Sequence, residues 1–504
     1  MKIVIGYPPL HTPKGIPQIS QNRQFQWTAP GPLAYFIYPV IPAYAASLLK
    51  RKGYQVFWLD GLAEKWTYER WLAEIKKIKP DLICLETKTP VVKRYWQVIK
   101  DLKLLWLDQW RSMTVLMGDH VTALPEESMR NCPVDFVITG GDYDFLLLNI
   151  VDYLAKGSKL EPGIWYRKDL GPRIKSPSAQ VKEKNYVSTG EFQLNHDLSV
   201  LPVIDRELTK WRLYAFKNSN FYRAPGVYTM FGRDCWWGRC TFCSWTTLFP
   251  GAHFRAFKVE KALDEVGNLI ENFGVKEIMD DSGSFPNGDW LREFCRGMIR
   301  RGYHQKVRMN CNMRFNAGLK KKDYLLMGES GFRFVLYGLE SASQQTLKRI
   351  NKNLKVAQIE PVLRWAREAG LMPHLTVMVG YPWETVSEVQ KTISFAQKLF
   401  KSGLADSMQA TIVIPYPGTP LFDYCQKNRL LKTKDWDRYD MREPIMKTKV
   451  PEERLLASVR GLYSRSIWNP RFMLNTLAQL KSIDGFKYVG FQALKYFGKL
   501  WEFK

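Results

Sequence analysis

The sequence predicts an α/β protein with an N-terminal doubly wound, Rossmann-like domain, a partial (β/α)6 barrel of the TIM type, and a helical C-terminal region. Three observations predict it. Strand-like and helix-like segments alternate twice along the chain with different rhythms. Chemistry-bearing residues recur at the ends of the second set of strands. The last 80 residues carry no strand pattern. At 504 residues the chain exceeds one ordinary core, and the expected boundaries are 1–155 for the first domain, 156–220 for a connector, 221–425 for the barrel and 426–504 for the helical, basic and aromatic tail.

In the first domain the runs "KIVIGY", "QVFWLD", "DLICLET", "TVLMGD" and "DFVITGG" are short and apolar, and helical stretches such as "IPAYAASLLKRKG" and "TYERWLAEIKKIK" separate them. That alternation builds a parallel sheet whose ligands sit beyond the carboxyl ends of the strands. The connector contains the Pro-, Gly- and Ser-rich stretch "EPGIWYRKDLGPRIKSPSAQ", with one extra strand at "GIWYR". From residue 227 six strands follow, "VYTMFG", "KEIMDDS", "KVRMNCNMR", "RFVLYGLES", "PHLTVMVGYP" and "MQATIVIPYPGTP". Their carboxyl ends carry Cys235, Asp280 with Asp281, Arg314, Glu340, the "GYPWET" turn and "PYPGTP". In such barrels that rim carries the chemistry.

Composition narrows the class. Hydrophobic residues make up 45% of the chain, enough for buried cores, and Lys plus Arg number 74 against 49 Asp plus Glu, a formal charge of +25 that favours anionic partners. No RNA- or DNA-binding module is recognised, so nucleic acid is a weak use of that charge. The start "MKIVIGYPPL" lacks the long apolar core of a secretory signal, and a cytoplasmic location is expected. Residues 24–49 are uncharged over a membrane-spanning length, but Pro30, Gly31, Pro32, Pro39 and Pro42 interrupt them, which favours a buried loop and helix.

Eight cysteines in a large chain of a reducing compartment suggest metal rather than a disulfide framework. Cys235, Cys240 and Cys243 in "CWWGRCTFC" have the spacing C-x4-C-x2-C. Thiolates are soft ligands, and three of them can hold three corners of a [4Fe–4S] cube, leaving the fourth iron open to an amine and carboxylate of a substrate. The competing reading is a structural zinc site closed by His253, Cys295 or Cys311, because structural zinc takes four ligands.

Here the chain resembles the radical S-adenosylmethionine (SAM) superfamily, in particular its branch with an N-terminal cobalamin-binding domain. The segments "GDHVTALPEE", "VDFVITGGDYDF", "CWWGRCTFC", "EIMDDSG", "LYGLESAS", "MVGYPWET" and "PYPGTPL" carry the likeness, which runs from about residue 1 to 465. It implies that SAM chelates the open iron, accepts one electron and is cleaved to a 5′-deoxyadenosyl radical, with flavodoxin or ferredoxin as the type of electron donor. The one departure is an additional residue between the first two cysteines, where the superfamily's common spacing is C-x3-C-x2-C; Gly238 supplies the turn a longer bulge needs.

The resemblance also implies site residues. Asp280, Asp281, Ser282, Arg314, Glu340 and Gly380 are the expected SAM contacts, against helix capping, a rim ion pair or ordinary turn chemistry. Thr87, Thr89, Gly118, Asp119, His120, Gly140 and Gly141 are the expected cobalamin contacts, although the D-x-H-x-x-G signature that supplies a cobalt-ligating histidine is absent. Trp236, Trp237 and Phe242 either shield the cluster or fill the core. In the tail, Phe491, Leu494, Tyr496, Phe497 and Trp501 suit a lipid surface while Lys495 and Lys499 meet anionic headgroups, against a helix laid on the barrel. The implied function is methylation of an unactivated carbon, or of phosphorus, in a lipid or secondary metabolite. The alternative is ring formation, rearrangement or oxidation on the same architecture.

Overall fold

A computed structural model of the chain describes residues 1–21, 24–30, 34–105, 111–168, 185–216, 221–251, 253–466, 485–486 and 489–490. The chain divides into two compact units. The first comprises Met1–Leu213 together with Ser244–Pro250 and Tyr416–Thr419, and the second comprises Tyr214–Cys243, Gly251–Pro415 and the described part of Pro420–Lys504. The division thus departs from the expected boundaries in two ways. Most of the expected connector belongs to the first unit, and two short barrel loops belong there as well.

In the first unit β1 (Lys2–Tyr7), β2 (Gln55–Asp60), β3 (Leu82–Glu86), β4 (Met113–Met117) and β5 (Phe136–Ile138) are parallel neighbours in the order β2-β1-β3-β4-β5. Two further strands, β6 (Ile164–Arg167) and β7 (Tyr186–Ser188), extend that edge antiparallel, one more than the single extra strand expected from "GIWYR". Every residue of β3 is buried, as expected of a parallel strand covered on both faces. The helices α1 (Val40–Arg51), α2 (Tyr68–Ile78), α3 (Val92–Leu104) and α4 (Tyr143–Lys156) connect the parallel strands or follow them. In α1 the residues from Val40 to Leu49 are all buried, so the uncharged run ends in a core helix. Among the described residues no helix is long and apolar enough to cross a membrane.

In the second unit β8 (Gly226–Thr229), β9 (Glu277–Asp280), β10 (Arg308–Met313), β11 (Phe332–Glu340), β12 (Met372–Val379) and β13 (Ser407–Ile412) lie in sequential order, all parallel. This is the expected six-stranded partial barrel. Connections include α5 (Val259–Phe273), α6 (Asp289–Arg300), α7 (Lys321–Glu329), α8 (Ile359–Glu368) and α9 (Val386–Lys401). In α6 an apolar stripe of Leu291, Phe294, Cys295 and Met298 is buried. Phe285 rings the same core with Trp290, Phe294 and Phe332, centroids 5.4–5.9 Å apart.

The amino-terminal rim of the barrel is closed by polar groups. Glu277, fully buried, accepts from the backbone N–H of Tyr222 and Arg223, from Asn310 Nδ2 at 2.6 Å and from Arg333 Nε at 2.9 Å. That rim serves stability, which leaves the opposite rim for chemistry.

Candidate functional site

At the carboxyl rim, β8 leads through Gly232–Arg233, paired with Arg255–Ala256, into the cysteine loop. Cys240 is buried, and Cys235 and Cys243 are half-buried. Cys235 lies close enough to Cys240 for their charges to interact, and Tyr381 feels both Cys240 and Cys243. The three thiols lie on one loop of nine residues, and among the described residues no group of three such side chains is drawn together as a ready-made site for a single metal ion. Cys295 and Cys311, the candidate zinc-closing thiols, instead lie together within the barrel wall, Cys295 on α6 and Cys311 on β10.

The extra residue of the loop is absorbed at Gly238, whose φ is +56° and where a Cβ would stand 1.7 Å from the Gly251 carbonyl oxygen. The loop is pinned to the turn that follows the helix Gln344–Arg349. Thr241 N–H donates to Ile350 O at 3.0 Å, Trp237 Nε1 to Asn351 O at 2.6 Å, and Asn351 Nδ2 back to Arg239 O at 3.1 Å. Burial pushes the Cys240 thiol up, against the opposing positive charges of Lys352 and Arg314.

Of the expected SAM contacts, Asp280 and Ser282 are engaged by protein. Asp280 accepts from Phe231 N–H at 2.7 Å and Thr229 Oγ1 at 3.0 Å, while Ser282 Oγ accepts from Gly232 N–H at 2.8 Å. The pair thus braces the segment that launches the cysteine loop. Asp281 N–H bonds Thr229 O at 2.8 Å, completing that brace. Burial raises the Asp280 carboxyl above its ordinary range. Glu340, in the left-handed region at φ +61°, forms an ion pair with Lys352 Nζ at 2.8 Å. Gly338 leaves the room, because a Cβ there would meet Glu340 Oε1 at 2.2 Å. Arg314 donates from Nη1 to Cys240 Sγ at 3.5 Å.

Gly380 has φ +95°, and its N–H donates to Glu384 Oε2 at 3.0 Å, as does Tyr381 N–H at 3.1 Å. Burial raises the Glu384 carboxyl to about 7, partly offset by those two N–H donors. Around the loop, Phe242 meets Tyr381 edge-on at 6.1 Å, and Tyr381 stacks on Trp383 at 5.4 Å. Gln409 Nε2, on β13 beside Thr376, is buried without a hydrogen-bond partner among the described residues. It is an amide donor left over for a bound polar group.

In the first unit the strand order puts the topological switch between β1 and β3. Tyr7 ends β1 and Glu86 ends β3; Glu86 accepts from Tyr7 OH at 2.5 Å and from Tyr143 OH at 2.7 Å. Burial raises Glu86 to about 7, against the lowering effect of the two tyrosine hydroxyls. Lys88 is buried too, which lowers it to about 8 despite Asp119 and Glu86. Burial raises Asp119, and Lys88 opposes the rise. Thr87 Oγ1 is buried with no hydrogen-bond partner among the described residues, a donor fit for a polar ligand at this crevice.

The remaining expected cobalamin contacts have neighbours within the protein as well. His120, in the short helix Asp119–Ala123, is fully buried with Nδ1 3.3 Å from Thr89 Oγ1 and Nε2 3.2 Å from Glu127 Oε2. A Cβ at Gly118 would meet Thr87 O at 2.2 Å, one at Gly140 the Phe192 ring at 2.4 Å, and one at Gly141 the Phe249 ring at 2.1 Å. These glycines make room for neighbouring protein atoms. Sequence reasoning missed Tyr7, Glu86, Lys88, Tyr143, Lys352 and Glu384. The available signal was a carboxylate and a lysine closing an otherwise apolar strand in "LICLETK".

Residues 229–396 match the family model of the Radical SAM superfamily. An uncharacterised methyltransferase of Pyrococcus horikoshii is 29% identical over 447 residues, 87% of this chain and 90% of the relative. An anaerobic magnesium-protoporphyrin IX monomethyl ester cyclase of Cereibacter sphaeroides is 25% identical over 434 residues, 85% of this chain and 66% of the relative. The solved radical SAM methyltransferase TsrM of Kitasatospora setae, with cobalamin and a [4Fe–4S] cluster bound, superposes with a TM-score of 0.65 at 13% identity, covering 92% of this chain and 88% of that one. At that identity the likeness is one of fold.

Proposed function

We propose, from the match of residues 229–396 to the Radical SAM superfamily, that the chain is a cobalamin-dependent radical SAM methyltransferase acting on an unactivated carbon, or a phosphorus centre, of a small molecule of the lipid or secondary-metabolite class. The observation that carries this reading is the spacing of Cys235, Cys240 and Cys243 in the loop that follows β8, with no fourth cysteine in that loop. A three-thiolate set suits a [4Fe–4S] cluster with one open iron. When bound, the cluster and SAM supply one-electron reductive cleavage of SAM, and cobalamin supplies a methyl carrier.

The chain's own residues do the rest. Asp280 and Ser282 hold the strand end from which the cysteine loop springs. Glu384 fixes the Gly380 turn through two backbone N–H groups, so that its backbone can border SAM. Phe242, Tyr381 and Trp383 keep water from the reacting face. Gln409 and, in the first unit, Thr87 offer polar groups to SAM and cobalamin respectively. Flavodoxin or ferredoxin is the class of one-electron donor that such a reaction needs. The aromatic and basic residues between Phe491 and Trp501, which suit a lipid surface, lie outside the described residues.

A second reading, ring formation on the same architecture, is favoured by the cyclase among the relatives. One experiment separates the two. The protein is reconstituted anaerobically with iron and sulfide, supplied with SAM, a strong reductant and cobalamin, and its small-molecule products are quantified by mass spectrometry. 5′-Deoxyadenosine together with S-adenosylhomocysteine, the latter only with cobalamin, is the expected result. 5′-Deoxyadenosine alone supports the second reading, and neither product overturns both.

A further inference from the structure

Arg314 is 5% exposed, and its guanidinium lies near two aromatic rings, 5.3 Å from the centroid of Trp236 and 5.4 Å from that of Trp237. Its donors go to Cys240 Sγ at 3.5 Å, to Asn316 Oδ1 at 3.2 Å and to the Lys352 carbonyl oxygen. None of these partners is a carboxylate. The neighbouring cation, Lys352, has its counter-charge in Glu340 at 2.8 Å. A guanidinium taken out of water without an anion is costly, and the one partner of Arg314 able to become an anion is the Cys240 thiol.

We propose that Arg314 is the counter-charge of the iron–sulfur cluster, a residue that sets how readily the cluster is reduced. The inference rests on the three-cysteine reading of the loop. Accepting one electron from a low-potential donor makes the three-thiolate cube one charge more negative. A buried cation whose N–H points at a ligating sulfur favours that more negative state, because hydrogen bonds to the sulfurs and net charge set such potentials. Arg314 acts here through Cys240, and the Trp236 and Trp237 rings, both within cation–π range, help hold it in place.

The test is a potentiometric titration, followed by electron paramagnetic resonance, of the full-length reconstituted protein and of Arg314→Gln and Arg314→Lys, with iron and sulfide content and SAM affinity measured in parallel. In Arg314→Gln the ratio of reduced to oxidised cluster at a fixed donor potential falls roughly tenfold, a shift of about 59 mV to more negative potential for a one-electron couple. Arg314→Lys, which keeps the charge but not the fork of donors, recovers part of it. Equal potentials in all three proteins at equal iron content overturn the proposal, and a loss of SAM affinity alongside them makes Arg314 a SAM contact instead. If Arg314→Gln holds no cluster, a second uncharged variant, Arg314→Leu, decides, an unmoved potential in it overturning the proposal. A wild-type chain that takes up no reducible cluster overturns the proposal together with the reading of the loop, whereas a wild-type cluster with unmoved variants leaves that reading standing.

Discussion

Gly238 shows how one backbone position decides whether the cysteine loop can form. Its φ of +56° is open to glycine at little cost, and the Gly251 carbonyl oxygen stands where a Cβ would be. Gly238→Ala therefore has to move backbone as well as adopt a left-handed conformation, a strain of about 1–3 kcal/mol placed on the loop itself. The expected outcome is loss of most of the iron and sulfide bound per chain while far-ultraviolet circular dichroism stays that of the wild type; full iron content in the variant would show that the loop has another geometry. The ligands were legible in the sequence because a thiolate's chemistry resides in its own side chain. The roles of Asp280, Ser282 and Glu340 were not. An acidic or hydroxyl side chain at a strand end looks the same in sequence whether its partner is a ligand, a backbone N–H or a lysine twelve residues on, and here the partners are Phe231, Gly232 and Lys352.

Among the elements, β6 and β7 were only half legible, because a short strand in a Pro- and Gly-rich stretch gains its identity from the edge it joins. Their attachment continues through His196, which follows β7. His196 lies with Nδ1 3.0 Å from Asp142 at the start of α4, with Nε2 3.0 Å from Glu161, and stacked on Phe145 at 4.5 Å. Burial alone would lower this histidine, but the two carboxylates outweigh it and raise it to about 9. A group raised in the folded state contributes stability that is fully present below its unfolded value, about 6.5, and is lost as pH rises through 9. The melting temperature should therefore fall between pH 6.5 and 9 in the wild type, and His196→Gln should flatten that part of the profile while lowering stability at pH 6. A profile of the same slope in both proteins would assign the titration to another group.

For the whole molecule the decisive contrast is between a metal that folds the chain and one that the folded chain merely holds. Both sheets are complete among the described residues, and their cores are aromatic and aliphatic. Cys240→Ala removes one buried thiol from the rim, a change of about 1 kcal/mol, or roughly 2–4 °C in melting temperature. SAM cleavage should vanish in that variant while the metal-free wild type and the metal-free variant unfold at nearly the same temperature. A metal-free wild type that is unfolded would point to a structural metal instead.

By itself the sequence determined the βα alternation, the six-strand rhythm and the three thiols, because periodicity and ligand chemistry are properties of residues near one another along the chain. Only the tertiary structure decided the order β2-β1-β3-β4-β5, which puts Tyr7 and Glu86 at the switch point. It alone decided that Arg314 meets Cys240 across 74 residues of chain. Crossovers and burial create such pairs, and a group's partner and its solvation are set by what the fold brings beside it.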